Sequence, residues 1–442
     1  MTFEQLLTLG VLVAVVAALI WDKVRSDVVA LAGAAFLLMS GVVRPVEVQA
    51  AFASPAIVAL ASLFVIAYAM ELSGLLDTAI AKLVALCRRI GRAGLWLMIA
   101  LSGSASAFLN NTPIVVLAAP VVRDVARSLG QSPKCYLIPL SYAAVLGGCC
   151  TLIGTSTNLL VNDMAAVAGQ PRFSIFEITP VGLAVAAAGG LYLFLFSSRL
   201  VRAGSDPAGE STAADAARAA EDFREPGLAG GLVGSAEPFA RQVSLRPWAA
   251  LASSAVFVAV VALAAVNVAP IAACAFAGAV LLILIRVITA DEAYRGLRPE
   301  VLMLIAGMVV LGIALDETGL ATAATDVLIG SMDGISPLLA LIILYGVTLF
   351  ATEILSNATV AVLMTPIAVS LAEAFAVSPR PFLVAIMIAG SAAFATPFGY
   401  QTNVIVYQMG NYNYLDFIKV GVPLNLITWA VGIVAIQYFF PF

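Results

Sequence analysis

Two short polar stretches interrupt a chain that is otherwise apolar. The first reads Ser106-Ala107-Phe108-Leu109-Asn110-Asn111-Thr112-Pro113. The second reads Thr352-Glu353-Ile354-Leu355-Ser356-Asn357-Ala358-Thr359, about 246 residues later, and Pro120 and Pro366 stand in register behind the two. Amides and hydroxyls surrounded by apolar sequence are costly unless they have partners. Two matched stretches of this kind predict a site, with each stretch the tip of a re-entrant hairpin. The chemistry such groups offer is coordination: an anion held between the tips, with cations beside it.

Two further breaks lie at Gly154-Thr155-Ser156-Thr157-Asn158 and Gly399-Tyr400-Gln401-Thr402-Asn403. A broken helix exposes unpaired carbonyls at one stub and unpaired N–H groups at the other. The carbonyls suit a hard cation such as Na+, and the N–H ends suit an anion. Irregular backbone inside a membrane is tolerable only against protein or a wet cavity. Each tip, paired with the break of its own half, therefore predicts one cation pocket. The two pockets would face each other across a pseudo-two-fold axis, with the anion between them. The four breaks contain no lysine or arginine. An anion there must be held by dipoles, amides, hydroxyls and co-bound cations, which is the chemical reason to expect cation coupling.

Other candidates weigh less. Glu353 is open between a proton carrier, a cation ligand and a buried acid braced by backbone; Ala107 occupies its place in the first half. Asn425 reads as an interhelical hydrogen bond, and Tyr407, Tyr412 and Tyr414 as an interfacial belt. Gly147-Gly148 reads either as a helix break or as close helix packing. The chain has no histidine, which excludes histidine-ligated metals and histidine proton relays. Its five cysteines show no metal-ligand spacing and read as small apolar fillers. Nothing suggests an enzyme, an organic cofactor or a nucleic-acid partner.

The elements that would position these residues follow from composition. Of 442 residues, 62% are hydrophobic and 11% charged, with mean hydropathy +1.05. A soluble domain is nearer 45–50% apolar and about 25% charged. The fold class is thus an all-α polytopic membrane protein. The first apolar run, Leu6 to Trp21, follows an acidic rather than a basic start and reads as a retained helix, not a leader. Further helices are expected over about 27–43 and 54–73, followed by an amphipathic basic segment from Leu75 to Arg92. A hairpin over about 94–126, a broken helix over about 136–167 and a helix over about 176–195 complete residues 1–198 as a first repeat. Residues 199–245 form a polar linker, with a short helix over Ala213 to Glu221. Residues 246–442 repeat the plan, with helices over about 247–267, 270–287 and 300–317, a hairpin over about 336–374, a broken helix over about 381–409 and a last helix over about 417–440.

A register of 245–246 residues aligns Glu47 with Glu292, Glu71 with Asp316, Asn111 with Asn357, Gly154 with Gly399 and Asn158 with Asn403. Two interrupted segments at corresponding places point to a transporter binding site. With five crossings per half and each hairpin returning to its own side, 19 of the 22 basic residues fall on one side. Only Arg44, Arg172 and Arg380 fall on the other. The rich side is then cytoplasmic, the linker is inside, both termini are outside, and the second repeat is inverted.

At these residues the chain resembles the divalent anion:sodium symporter family (solute carrier family 13) of the ion transporter superfamily. That family carries a Ser-Asn-Thr signature at each hairpin tip, matched here by Asn110-Asn111-Thr112 and Ser356-Asn357-Ala358. The stretches Leu152 to Asn158, Thr352-Glu353 and Thr396 to Asn403 resemble it as well. The resemblance implies a homodimer in the plasma (inner) membrane, with a scaffold domain and a transport domain that moves as an elevator. It implies a first Na+ site at Ser106, Asn110, Asn111 and Gly154, and a second at Thr352, Asn357 and the backbone near Ala395 and Pro397. Substrate would touch Asn111, Thr112, Asn357 and the position of Ala358. Together with the polar groups of the tips and breaks, the candidate sets extend to Thr157, Thr359 and Thr402 for substrate. For Na+ they extend to Asn158, Ser356 and Asn403.

Two departures bear on substrate. Ala358 removes a hydroxyl from the second tip, and Asn110 alters a cation ligand, so both weigh against succinate-like specificity. The two break sequences look more like the branch associated with sulfate uptake. Members of that branch often insert cytoplasmic regulator-of-potassium-conductance C-terminal domains between the halves, and this linker is too short for one. The expected function is Na+-coupled symport of a small divalent anion, sulfate before C4-dicarboxylate. An H+-driven anion or arsenite efflux permease and an anion channel are the rivals.

Overall fold

The computed structural model describes residues 2–21, 23–75, 78, 90–201, 245–266, 268–323 and 336–442. Most of the basic segment from Leu75 to Arg92, most of the linker and its expected helix from Ala213 to Glu221 lie outside the described residues. Among the described residues the regular structure is helical, with no strand. Six helical stretches there are long and apolar enough to cross a bilayer, and the protein is an integral, multi-pass membrane protein.

The first half contains α1 (Phe3–Trp21), α2 (Ser26–Met39), α3 (Pro45–Phe52), α4 (Pro55–Leu72), α5 (Arg92–Ser106), α6 (Asn111–Ser128), α7 (Lys134–Gly148), α8 (Ser156–Val167) and α9 (Thr179–Tyr192). A π-helical turn over Leu193–Ser197 extends α9. The second half contains α10 (Pro247–Ala265), α11 (Ile271–Leu284), α12 (Ala290–Gly296), α13 (Pro299–Glu317), α14 (Pro337–Ala351), α15 (Asn357–Ala374), α16 (Arg380–Ala389), α17 (Gln401–Met409) and α18 (Tyr414–Phe439).

Serine–proline pairs start two of the long helices. Ser54 accepts from the Ile57 N–H at 3.3 Å, and Ser336 accepts from the Leu339 N–H at 3.3 Å. Each serine occupies one of the N–H groups that a helix start leaves unpaired. The short helices α3 and α12 were not expected from hydropathy. Their signal is a carboxylate three residues into the turn: Glu47 accepts from the Arg44 N–H at 2.8 Å, and Glu292 from the Thr289 N–H at 2.8 Å.

The halves interleave. Helix α2 packs on α13, and its counterpart α11 packs on α4. Helix α6 packs on α17 and α15 on α8, while α9 lies along α18. Within each half, α5 packs on α6 and α7, and α14 on α15 and α16. The adjacency of α5 with α6, and of α14 with α15, is that of two hairpins. Most of these contacts come in pairs separated by the same 245–246 residues that relate the polar stretches.

Close approach explains Gly147. A Cβ there would strike the Gly103 carbonyl, and one at Gly103 would lie 2.8 Å from the Ala143 carbonyl oxygen. Helices α5 and α7 therefore cross at backbone contact, where only glycine fits. Gly148 faces the Asn111 side chain, whose Oδ1 would lie 2.7 Å from an added Cβ. Of the three tyrosines expected at the interface, Tyr414 is exposed and Tyr407 half-buried, but Tyr412 is buried. The Tyr412 hydroxyl accepts from the Ile138 N–H at 3.1 Å and donates to the Lys134 carbonyl at 2.5 Å, so it ties the start of α18 to α7 instead.

The α5–α7 crossing gives a direct test. Gly147→Ala must push two backbones apart, and overpacking of this kind costs about 1–3 kcal/mol. Gly10, with nothing within 4 Å of an added Cβ, is the control. Thermal unfolding in detergent should show Gly147→Ala melting below wild type and Gly10→Ala melting with it.

Candidate functional site

Helix α5 ends at Ser106 and α6 resumes at Asn111; α14 ends at Ala351 and α15 resumes at Asn357. The two breaks run over residues 149–155 and 390–400, with α8 resuming at Ser156 and α17 at Gln401. The first thus opens at the Gly147-Gly148 pair and runs to the expected Gly154, and the second begins upstream of the expected Gly399. Thr157, Asn158, Thr402 and Asn403 lie in the first turns of resumed helices, and their burial follows from that placement.

One hydrogen-bond pattern appears twice. The Ser106 hydroxyl donates to Asn111 Oδ1, and the Thr352 hydroxyl donates to Asn357 Oδ1 at 2.7 Å. The Thr151 hydroxyl donates to the Ala107 carbonyl, and the Thr396 hydroxyl to the Glu353 carbonyl at 3.2 Å. The Gly154 N–H donates to the Thr151 hydroxyl at 3.1 Å, and the Gly399 N–H to the Thr396 hydroxyl at 3.0 Å. Asn158 Nδ2 reaches back to the Thr151 carbonyl at 3.0 Å, and Asn403 Nδ2 to the Ala393 and Thr396 carbonyls at 2.8 and 3.2 Å. In each half, one threonine joins tip to break, and one asparagine amide occupies carbonyls the broken helix has left unpaired.

Four helices start at this cluster. Asn110 caps α6 by accepting from the Thr112 N–H at 3.2 Å, Thr155 caps α8 from Thr157 at 3.4 Å, and Ser356 caps α15 from Thr359 at 3.3 Å. Helix α17 has no side-chain cap. The starts of α6 and α17 meet directly: Asn111 Nδ2 donates to the Tyr400 hydroxyl at 2.9 Å, and the Thr112 hydroxyl donates to Gln401 Oε1 at 3.0 Å. The start of α8 and the end of α14 meet at Gly390. Its carbonyl accepts from Thr352 at 2.9 Å, and its Cα side lies against Thr157 Cγ2.

Not every candidate faces open space. Thr112, Asn357 and Ala358 are half-buried, and Ser156, which sequence reading passed over, is exposed. Thr157, Thr359 and Thr402 are buried with their hydroxyls engaged: Thr157 by Thr155 at 3.5 Å, Thr359 by Ser356 at 2.7 Å and Thr402 by Ser141 at 2.7 Å. Asn110 and Ser356 turn their side chains to their own helix starts. Asn403 Oδ1 accepts from Ser141 at 2.7 Å. Asn158 Oδ1, by contrast, is buried and has no partner among the described residues. Around Gly154 the Ala107 and Gly148 carbonyls crowd so closely that a Cβ would strike both. Oxygen ligands of this kind fit a hard cation. Among the described residues no cluster of three or more cysteine or acidic side chains forms a transition-metal site.

Glu353 resolves as a brace. Its Oε1 accepts from the Ala395 N–H and from Asn425 Nδ2, both at 2.7 Å; its Oε2 accepts from the Thr396 N–H at 2.9 Å and, at 3.0 Å, shares the one Thr396 hydroxyl proton with the Glu353 carbonyl. The carboxylate thus fastens the second tip to the second break and to α18. Glu353→Ala strands two backbone donors and an amide, each costing about 1–3 kcal/mol when left buried and unpaired. Thermal unfolding should rank wild type above Glu353→Gln and Glu353→Gln above Glu353→Ala. Equal melting of Glu353→Ala and wild type would rule the brace out.

Known proteins fit this architecture. The sequence model of the citrate transporter family, CitMHS, matches residues 16–389. An uncharacterised transporter of Synechocystis is 25% identical over 95% of this chain and 95% of its own. A probable sodium/sulfate cotransporter of Chlamydomonas reinhardtii is 46% identical over 20% of this chain and 11% of its own. Among solved structures, the antimetabolite efflux pump MtrF of Neisseria gonorrhoeae superposes with a TM-score of 0.59, covering 99% of this chain and 94% of that one at 13% identity, a likeness of fold alone. With most of its length matched and its polar breaks gathered between helices, the chain belongs to the citrate transporter family and is a membrane transporter, not an enzyme.

Proposed function

We propose that this transporter carries a small divalent anion together with Na+, sulfate first and a C4-dicarboxylate next. The observation that carries the proposal is the gathering of four helix N-termini at breaks that hold no lysine or arginine. Unpaired N–H ends attract an anion, but they do not neutralise a dianion. Bound cations must supply that charge, and the crowded oxygens beside them are where cations would bind. The first Na+ site consists of Ser106, Asn111, the backbone at Gly154 and the unpaired Asn158 Oδ1. The second consists of Thr352, Asn357 and the backbone near Ala395 and Pro397. The anion lies against Asn111, Thr112, Asn357 and the backbone at Ala358.

Sulfate is favoured because Ala358 offers no hydroxyl for a carboxylate end, and because relatives with sodium/sulfate names match this chain. The family name refers to citrate, which makes citrate a necessary competitor in any assay. The resemblance to solute carrier family 13 extends the proposal to a homodimer in the inner membrane with an elevator motion and two inverted repeats. The polar linker is placed in the cytoplasm and both termini outside. The three basic residues assigned to the outer side fit that orientation. Arg44 pairs with Glu47 and Glu317, Arg172 with Asp163, and Arg380 with Glu177.

Uptake of labelled sulfate and succinate into proteoliposomes, with and without an inward Na+ gradient, tests the proposal. Asn111→Ala and Asn357→Ala each remove an amide that lines the proposed anion site and a proposed cation pocket, where one charge-assisted contact is worth about 1.5–3 kcal/mol, so each should lower uptake about 10–100-fold at unchanged expression. Uptake that ignores Na+ and follows a pH gradient would favour H+-driven efflux chemistry instead. A steady conductance in a planar bilayer would favour a channel.

A further inference from the structure

Tyr400 and Gln401 stand where the register of the first half has Thr155 and Ser156. The flanking residues match, Gly154 with Gly399 and Thr157-Asn158 with Thr402-Asn403, so the mismatch is confined to these two positions. Both side chains cross to the other half. Tyr400 accepts from Asn111 Nδ2 at 2.9 Å, and Gln401 accepts from the Thr112 hydroxyl at 3.0 Å. One of the two Asn111 amide donors and the Thr112 hydroxyl are therefore already engaged. The second tip has no such cover. Asn357 is half-buried, its Oδ1 is held by Thr352 and its Nδ2 has no partner among the described residues.

Each covering residue keeps a donor of its own, the Tyr400 O–H and the Gln401 Nε2 amide. Both residues are half-buried and open the one helix of the four without a side-chain cap. Fresh donors thus sit against the first tip.

We infer that Tyr400 and Gln401 are specificity-determining residues, and that the first tip meets the anion through them. This inference rests on the anion site proposed above and sharpens its substrate class. The phenol ring and the amide shorten the gap between the tips. A tetrahedral dianion presents acceptors in every direction within a small radius and fits the shortened gap. An extended carboxylate must reach donors at both tips at once, and here one tip is covered. A site built to hydrogen-bond its ligand rejects one that leaves those groups unpaired far more strongly than it rejects a difference in size.

The test reconstitutes the full chain as wild type, Tyr400→Phe, Gln401→Ala and the double variant Tyr400→Thr/Gln401→Ser, which restores the residues of the first half. Sulfate KM and the succinate-to-sulfate uptake ratio are measured under one Na+ gradient, with thermal unfolding as the folding control. Each single variant should raise sulfate KM about tenfold, the loss expected for one hydrogen bond to a charged ligand. The double variant should raise the succinate-to-sulfate ratio by at least about tenfold. If the double variant fails to fold, the two single variants, which delete only a few atoms, decide the matter. Wild type active on sulfate, with KM and ratio in the folded variants unchanged within about twofold, overturns the inference and leaves the transport reading intact. A wild type that prefers succinate also overturns the inference alone. A wild type that moves no anion overturns the transport reading and the inference with it.

Discussion

A helix interrupted in an apolar phase must find a partner for every backbone group it frees. The whole centre of this protein answers to that requirement. Thr151 and Thr396 join each tip to its break, and Asn158 and Asn403 reach back to the carbonyls upstream. Ser106 and Thr352 fix the carbonyl oxygens of Asn111 and Asn357. What is left over carries the proposed function: the starts of four helices gathered at the breaks, and oxygens crowded beside them. Moving a charge-bearing ligand through a membrane then needs no charged side chain at the site.

The two halves solve the same problem unequally. The first leaves Asn158 Oδ1 buried without a partner among the described residues, whereas Ser141 satisfies Asn403 Oδ1 in the second. The second half adds Glu353, whose four hydrogen bonds hold the second tip, the second break and α18 as one piece. A second half braced by Glu353, beside a first half with an acceptor unpartnered among the described residues, makes the first of the two proposed cation pockets the better defined in chemical terms. The gap between the tips inherits this inequality. Tyr400 and Gln401 cover one tip, and Ala358 leaves the other without a hydroxyl. The glycines serve the same end, since the α5–α7 crossing at Gly103 and Gly147 brings the first tip and the first break within reach of each other.

Much of this was legible in the sequence. Polar residues in apolar runs mark the tips and breaks, and a constant register pairs them. The long helices follow from hydropathy alone. The first break opens right after Gly148, where Gly147-Gly148 offered one reading of a break, whereas the second opens at Gly390, well upstream of the expected Gly399, because no glycine pair or polar string marks the unwound backbone there. Thr157, Thr359 and Thr402 were read as substrate ligands because hydroxyls look available in a string of letters; the structure engages each with a neighbour. Tyr400 and Gln401 went unread because their partners lie 289 residues away, a distance no local pattern spans. The mismatch with Thr155 and Ser156 inside a matched register was the available signal. Tyr412 was read as interfacial because aromatic residues near a helix start commonly are, but its hydroxyl found buried backbone partners instead.

The central claim is that anion and cation bind as one charge-balanced unit. Coupling of this kind is reciprocal: Na+ must tighten the anion by the same factor by which the anion tightens Na+. The direct measurement is a thermal-shift titration of the purified protein with sulfate in Na+ and in choline, because a ligand raises the melting point according to its affinity. A sulfate-dependent shift in Na+ that vanishes in choline is the predicted result. A shift of equal size in both salts would contradict it.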